Sequence, residues 1–178
     1  MAAATVATAP GSCELNKLLN RNWALQIKKT GDGDSAWKFV RGLDTISVNI
    51  ETSAVDASDL DSDGWESQVK TSRKLTVVCN GKFAVVRNAK ELEPSQKLLY
   101  DTGIELGAEG QLDVRVWRTD GTDEGWEMTA TNTFTTNDGG ANDMRTFTAN
   151  LQSSCAPRRI KPVLTDAVTK ASVPYAAA

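Results

Sequence analysis

The sequence predicts a mainly β protein: an antiparallel β-sandwich or barrel with one short helix, a long loop between two strands, and extended terminal arms. Apolar and polar residues alternate along most of the chain, which is the pattern of strands buried on one side. Clusters of Gly, Asn and Asp separate these runs, as at residues 30–34 and 136–143. The stretch near residue 94 changes period and carries the signals of a helix, and from Ser153 onward prolines interrupt the pattern.

The first strand is predicted at residues 22–29, where apolar side chains occupy every second position. Residues 35–41 resume an extended structure after a turn. Because Trp23, Trp37 and Trp126 all fall within predicted strands, we expect them in the core.

Two further strands flank a long polar loop. Their apolar positions are Ile46, Val48 and Ile50 in the first strand and Leu75, Val77 and Cys79 in the second. The loop between them, residues 52–73, is too long for a tight hairpin turn, which indicates either function or disorder. It is also acidic, with Asp56, Asp59, Asp61 and Asp63 ahead of Gly64 and Trp65.

The second half of the chain reads as one helix among strands. A short strand is predicted at residues 83–87, and a helix at about 94–102, with Pro94 in its first turn and Gly103 closing it. The remaining strands are predicted at residues 112–117, 125–136 and 144–152. In the first of these, Leu112, Val114 and Val116 alternate with Asp113, Arg115 and Trp117.

The last two strands place threonines on the face opposite to their apolar residues. An ordinary solvent-facing sheet is one interpretation, since Thr is a good strand former. The alternative is that this uncharged polar face lines a wide water-filled channel, because the exposed face of a monomer would carry scattered Lys and Glu. The candidate channel-lining residues are Thr129, Thr131, Thr133, Thr146 and Thr148, together with polar faces near residues 45–51 and 72–80.

Length and composition indicate a single β domain at residues 21–152, between an N-terminal arm at 1–20 and a C-terminal arm at 153–178. The start of the chain lacks the features of a signal peptide, and no stretch approaches the roughly 20 apolar residues of a membrane span. We therefore expect no membrane partner. The formal charge of −3 and the lack of basic runs do not favour nucleic-acid binding, although a protein that meets DNA without holding it would have this composition.

The residues available for chemistry argue against an enzyme. The chain has no histidine, the commonest general base and metal ligand, and no phosphate-binding or nucleophile motif. Its three cysteines, Cys13, Cys79 and Cys155, are too widely spaced for a zinc site or a disulfide framework. Cys79 falls on an apolar strand face and is predicted to be a buried free thiol. We expect no catalytic residue, no cofactor and no metal.

The acidic loop offers one alternative. The run at residues 59–64 matches the opening of a calcium-binding loop, with carboxylates at alternate positions and then a glycine. The closing carboxylate is absent, since Lys70 stands at its position. With the candidate anchor Trp65 beside it, this run supports a calcium-dependent adhesion or carbohydrate-binding module as the alternative function.

The chain has seven segments in a recognisable order. They are a strand (LDTISVNIET), a polar loop ending in Gly-Trp (DSDGWES), a strand (RKLTVVCNGK), a helix (EPSQKLLYD), two strands (LDVRVWRTDG and WEMTATNTFTT) and a Pro-rich tail (APRRIKPV). This order, over about residues 20–163, resembles the major tail tube proteins of long-tailed, siphovirus-type bacteriophages. The resemblance implies a structural virion protein whose hexameric rings stack into a tube, with one continuous inner barrel and an acidic lumen that carries DNA to the host.

The same resemblance implies the partners, and we assign the site roles of individual residues on that basis. It implies self-assembly in the host cytoplasm, localisation in the virion tail, and contacts with tape-measure, tail terminator and tail tip proteins, while genomic DNA passes without specific binding. The loop at residues 56–65 would contact the next ring and the five threonines would face the lumen. The arms would bridge subunits, with Arg158, Arg159 and Lys161 as candidate basic contacts for the loop.

Overall fold

The computed structural model describes residues 18–58, 65–87, 90–137, 139–165 and 172–173. The strands are β1 (Trp23–Lys29), β2 (Lys38–Phe39), β3 (Leu43–Asp56), β4 (Gln68–Lys82), β5 (Gln111–Arg118), β6 (Gly125–Asn137), β7 (Thr146–Ser153), β8 (Arg158–Arg159), β9 (Leu164–Thr165) and β10 (Ser172–Val173). The described residues contain one α-helix, α1 (Pro94–Ile104), and 3-10 turns at Asn20–Asn22, Asp34–Ala36 and Gly107–Gly110.

The first eight strands form one antiparallel sheet in the order β2-β1-β5-β6-β7-β4-β3, with β8 added beside β6. Strands β9 and β10 form a separate two-stranded ribbon. The two ends of the large sheet, β2 and β3, are joined by only residues 40–42, so the sheet has to curl until its ends meet. The prediction of a mainly antiparallel β fold with a single short helix is confirmed.

The core lies inside this curl, and cross-strand pairing aligns its side chains in rows. Ile46, Cys79, Ala149 and Phe134 form one row across β3, β4, β7 and β6. The facing half of the sheet supplies Leu25, Ile27, Leu112, Val114, Val116, Met128 and Ala130, all buried. The alternation read from the sequence therefore assigned the core faces of these strands correctly.

Helix α1 covers the core face of β6. Glu93 caps its start by accepting hydrogen bonds from Ser95 N at 2.9 Å and Gln96 N at 3.2 Å, and Pro94 occupies the first turn. Gly103 lies inside the helix, although the sequence indicated that it would end it. A Cβ at Gly103 would stand 2.3 Å from Cβ of Phe134, so only glycine lets the helix approach β6 this closely.

Gln96 joins the helix to the curled sheet. Its buried side-chain amide accepts from Ala84 N at 2.8 Å and donates to the carbonyl oxygens of Arg41 at 2.9 Å and Lys82 at 3.0 Å. Arg41 follows β2, Lys82 is the last residue of β4, and Ala84 comes shortly after it. One side chain therefore pairs backbone groups that no strand partner reaches.

The strand predicted at residues 83–87 is wrong. Only Val85 makes a bridge, to Leu92. Ala84 turns both of its backbone groups to the start of the helix, donating to Gln96 Oε1 and accepting from Glu93 N at 2.9 Å. Phe83 N donates to Arg145 O at 3.1 Å and Val86 N to Glu91 O at 2.9 Å, so the segment divides its hydrogen bonds among three neighbours and forms no continuous strand.

The tryptophan assignments need correction. Trp117, placed by alternation on the polar face, is only 4% exposed and packs edge to face against Phe39. The three tryptophans expected in the core are half-buried: Trp23 and Trp126 pack against the core, whereas Trp37 is not part of it. Each lies under a guanidinium group: Trp23 under Arg118, Trp37 under Arg115 and Trp126 under Arg159.

The terminal segments are only partly described. Residues 1–17 lie outside the described residues. Ser153 is the last residue of β7, and the start of the predicted C-terminal arm returns to its own sheet, where Arg158 and Arg159 pair with Glu127 and Trp126. The arm therefore begins with contacts inside one chain.

Replacing Gln96 with Leu should lower the free energy of unfolding by about 3 kcal/mol, because it removes the three hydrogen bonds that the buried amide makes to Ala84 N and to the carbonyl oxygens of Arg41 and Lys82. Urea unfolding of the purified variant measures this. Lys97→Leu is the matched control, since Lys97 is the exposed next residue of the same helix. Equal stability of the two variants would contradict the role assigned to Gln96.

The thiol of Cys79 should resist alkylation in the native protein. The side chain is fully buried, and burial raises the pKa of this thiol to about 12, so almost no thiolate exists at pH 8. In a Cys13→Ser, Cys155→Ser chain, iodoacetamide should label Cys79 only after unfolding. The companion chain that keeps exposed Cys155 alone should be labelled while folded, and rapid labelling of both would refute the prediction.

Candidate functional site

Strands β6, β7, β4 and β3 are consecutive neighbours, and their outer faces form one uncharged polar surface. Cross-strand pairing arranges the side chains in three rows of four. The rows, which we call the polar face, are Thr45, Asn80, Thr148 and Thr135; Ser47, Val78, Asn150 and Thr133; and Asn49, Thr76, Gln152 and Thr131. Val78 is the single apolar member.

Hydrogen bonds between side chains order the first row. Asn80 Nδ2 donates to Thr45 Oγ1 at 2.9 Å, and Thr148 Oγ1 donates to Asn80 Oδ1 at 2.7 Å. The side chains of this row are therefore joined along the surface, where they present hydroxyl and amide groups. In the third row Thr76 is buried, and its Oγ1 has no hydrogen-bond partner among the described residues. Such a surface offers many weak hydrogen-bonding groups and no fixed charge.

Charges stand only at the two ends of the polar face, and they are paired. Lys74 binds Glu51 at 2.9 Å at one end, and Lys82 binds Asp44 at 3.2 Å at the other. All four side chains are about half exposed, so these ion pairs add little stability. Their effect is to leave the local charge near zero.

Four of the five threonines proposed for the channel belong to this surface or its margin. Thr131, Thr133 and Thr148 are members of the polar face, and Thr146 continues it beside Lys82. Thr129 is different, because it lies opposite Asp113 of β5 and donates to that carboxylate at 2.9 Å. Asp113 in turn lies 3.6 Å from Lys28, so Thr129 faces a charged cluster.

The surface formed by these four strands has an unpaired strand edge on each side. Among the described residues, β3 pairs only with β4, so its outer edge is open along its length. Strand β6 pairs with β5 up to Thr131, which leaves residues 132–137 open on that side. Open edges carry unsatisfied N–H and C=O groups and invite pairing with another chain.

The predicted loop at residues 52–73 is largely a long hairpin. Strand β3 continues to Asp56 and β4 begins at Gln68, so the connecting loop is residues 57–67. Both faces of this projecting part are exposed, as at Val55 and Val69, so no apolar face is needed there and the sequence carries no strand pattern. The prediction of a longer loop was wrong for this reason.

Asp56 closes the base of the loop. Its Oδ1 accepts from Ser58 N at 2.9 Å and from Ser58 Oγ at 2.6 Å, and these bonds lower the pKa of Asp56. Ser58 Oγ also accepts from Ser67 N at 2.9 Å. Trp65 is 80% exposed, as expected of a residue free to contact a partner.

The calcium alternative falls on residues that cannot be placed. Asp59, Asp61, Asp63 and Gly64 lie outside the described residues. Within the described ranges, no three acidic, His or Cys side chains gather in a way that could hold a metal ion. The described helix is also too short and polar to cross a membrane.

The three basic residues of the C-terminal segment have different surroundings. Arg158 Nη2 donates to Glu127 Oε1 at 2.8 Å, and Glu127 is also bound by Arg115. Arg159 places its guanidinium 5.5 Å from the Trp126 ring and is exposed. Lys161 lies beside Pro162 in a separate surface pocket near Arg118.

Comparison with known proteins gives a fold but no sequence relative. The sequence matches no protein-family profile and no curated protein. A chain from the tail of an empty GTA particle, refined helically with C6 symmetry, matches with a TM-score of 0.59 and 17% identity over 80% of this chain and 98% of that one.

Two further solved structures agree. A chain from the virion of a native gene transfer agent particle has a TM-score of 0.55 at 14% identity, covering 79% of this chain and 97% of its own. A chain of the six-fold symmetrised anti-feeding prophage baseplate has a TM-score of 0.55 at 9% identity, covering 81% and 95%. The chain has the fold of proteins found in phage-like tails and baseplates, as the sequence resemblance led us to expect.

Proposed function

We propose that this chain is a structural virion protein that self-assembles into stacked hexameric rings and forms a tail tube for the passage of DNA. The observation that carries the proposal is the polar face, a four-stranded uncharged surface bounded by two open strand edges. The fold shared with chains of C6 and six-fold symmetrised particles supports it.

Ring closure follows from the position of the open edges. The outer edge of β3 in one copy can pair with residues 132–137 of β6 in the next copy, a head-to-tail contact that closes when the rotation is right. Strands spaced by about 4.8 Å, four from each of six copies, give a circumference of about 115 Å and a diameter of about 37 Å. Strand tilt widens such a barrel further, and a double helix fits inside.

The chemistry of the polar face suits a conduit. A lining with Lys or Arg would bind phosphates and release counterions, so each contact would slow a moving DNA molecule. Hydroxyl and amide groups make only weak, exchangeable hydrogen bonds. The resemblance implied an acidic lumen, whereas the lining proposed here is neutral, with its charged pairs at the rims.

Other parts of the chain are proposed to join the rings. The hairpin of β3 and β4 projects beyond the sheet, and its loop, with the exposed Trp65, would contact the next layer. The terminal arms would bridge copies, and the tape-measure, tail terminator and tail tip proteins would meet the tube inside and at its ends. Assembly would take place in the host cytoplasm and ejection into a new host.

Electron microscopy of the concentrated, purified protein tests the proposal. We expect tubes or rings with a stain-filled centre and six-fold symmetry along the axis, since the open edges are satisfied only in an assembly. If the protein stays a compact monomer at all concentrations, even with tail initiators added, the proposal is contradicted. If that monomer also gained thermal stability with calcium, the adhesion or carbohydrate-binding alternative would replace it.

The polar face should become inaccessible on assembly. In a Cys13→Ser, Cys155→Ser chain, Thr133→Cys should react with a large PEG-maleimide as a monomer and be protected in tubes, because the reagent cannot enter a narrow lumen. Lys97→Cys on the exposed helix is the matched control and should react in both states. Equal reaction at Thr133→Cys in tubes would place this face on the outside.

A further inference from the structure

A cleft of about 280 Å³ opens between the hairpin and the start of β6. It exists because β4 pairs with β7 only from Thr76 onward, so the earlier residues of β4 stand apart from the sheet on that side. Its apolar surface comes from Ile50, Leu75, Trp126 and Pro157. These residues lie at the end of the core, where the two halves of the curled sheet separate.

The rim of the cleft is cationic. Arg73, Lys74 and Arg159 all line it. Lys74 is engaged by Glu51, but no carboxylate partner of Arg73 or Arg159 is found among the described residues. Two guanidinium groups beside apolar surface, exposed and lacking an ion pair, are suited to an acidic segment that also carries apolar side chains.

We propose that this cleft binds the acidic loop, residues 56–66, of a second copy of the chain. The inference rests on the proposed function, since it takes assembly of copies as given, and it adds the surface that receives the loop. The loop carries five carboxylates and no base, and it includes Leu60 and Trp65 as apolar anchors. Its charge and its apolar content both match the cleft.

The terminal segments fit the cleft less well. Residues 1–17 contain one acid, Glu14, and one base, Lys17; residues 166–178 contain Asp166 and Lys170. Neither segment has the excess of carboxylates that a rim with two unpaired guanidinium groups favours. Charge complementarity therefore selects the loop over the two terminal segments.

The loop of the same copy is badly placed to fill its own cleft. Ile50 and Leu75 form one cross-strand pair at the cleft, and Asp56 and Gln68 form the pair at the base of the loop. Six residues of strand at about 3.3 Å each put the loop base roughly 20 Å from the cleft. A copy stacked along the hairpin direction meets the loop without any reversal of the chain, and the contact can repeat from copy to copy.

A charge-swap experiment tests this pairing. The cleft variant is Arg73→Glu, Arg159→Glu, and the loop variant is Asp59→Lys, Asp61→Lys, Asp63→Lys. Each alone opposes like charges at the contact, so we expect the concentration needed for assembly to rise at least about tenfold. An equimolar mixture should assemble like the unmodified chain, because each loop then meets a cleft of opposite sign.

Sedimentation and microscopy read out the result, with thermal unfolding to confirm that both variants fold. Lys90→Glu, Lys97→Glu is the control, with the same charge change away from the cleft. If the unmodified chain assembles and the cleft variant does so at the same concentration, the inference is overturned while the proposed function stands. The inference is also overturned if the mixture of the two variants fails to recover assembly. A cleft variant that assembles normally but no longer binds duplex DNA would overturn it as well, since the cleft would then bind DNA instead of the loop. If the unmodified chain never assembles, the proposed function itself fails.

Discussion

The connection between β2 and β3 constrains the whole fold. These strands lie at opposite ends of the sheet order, yet three residues join them, so the sheet must return on itself. Gly42 in this link has a φ of +76°, and a Cβ there would stand 2.9 Å from the Lys82 carbonyl oxygen and 2.8 Å from Gln96 Nε2. The closure therefore depends on a residue without a side chain, whose neighbour Arg41 is bound by the same glutamine that docks the helix.

Because the sheet curls, its inner face is buried and part of its outer face is left exposed. The inner face is covered by the opposite half and by α1, so even Asn132 is buried there, donating to Leu99 O at 2.7 Å and to Thr102 Oγ1 at 2.9 Å. The outer face of β6, β7, β4 and β3 is covered by nothing in the described residues of its own chain. Over β1 and β5, by contrast, Trp37 closes on Arg115 at 4.1 Å. The polar face is thus the part of the outer surface left open for a partner.

Alternation in the sequence was enough to predict most strands, their core faces and the exposed threonines, because each depends only on neighbours two positions apart. It could not predict which strands lie side by side. Thr129 and Thr131 look alike in sequence, but one faces Asp113 and the other joins the polar face, since the pairing of β6 with β7 begins only at Ala130 and places Gln152 beside Thr131. The length of the hairpin and the cleft beside Trp126 were also missed, because strands exposed on both faces and gaps between strands leave no local pattern.

The register of β1 has a consequence for synthesis. Trp23 pairs with Arg118 and Lys29 with Leu112, so β1, the first of the described strands to leave the ribosome, has no partner on that side until most of the chain has been made. Such distant pairings fold slowly and leave strand edges uncovered in the meantime. Rapid overexpression would crowd these half-built chains together, and slower translation at low temperature would favour soluble material over inclusion bodies.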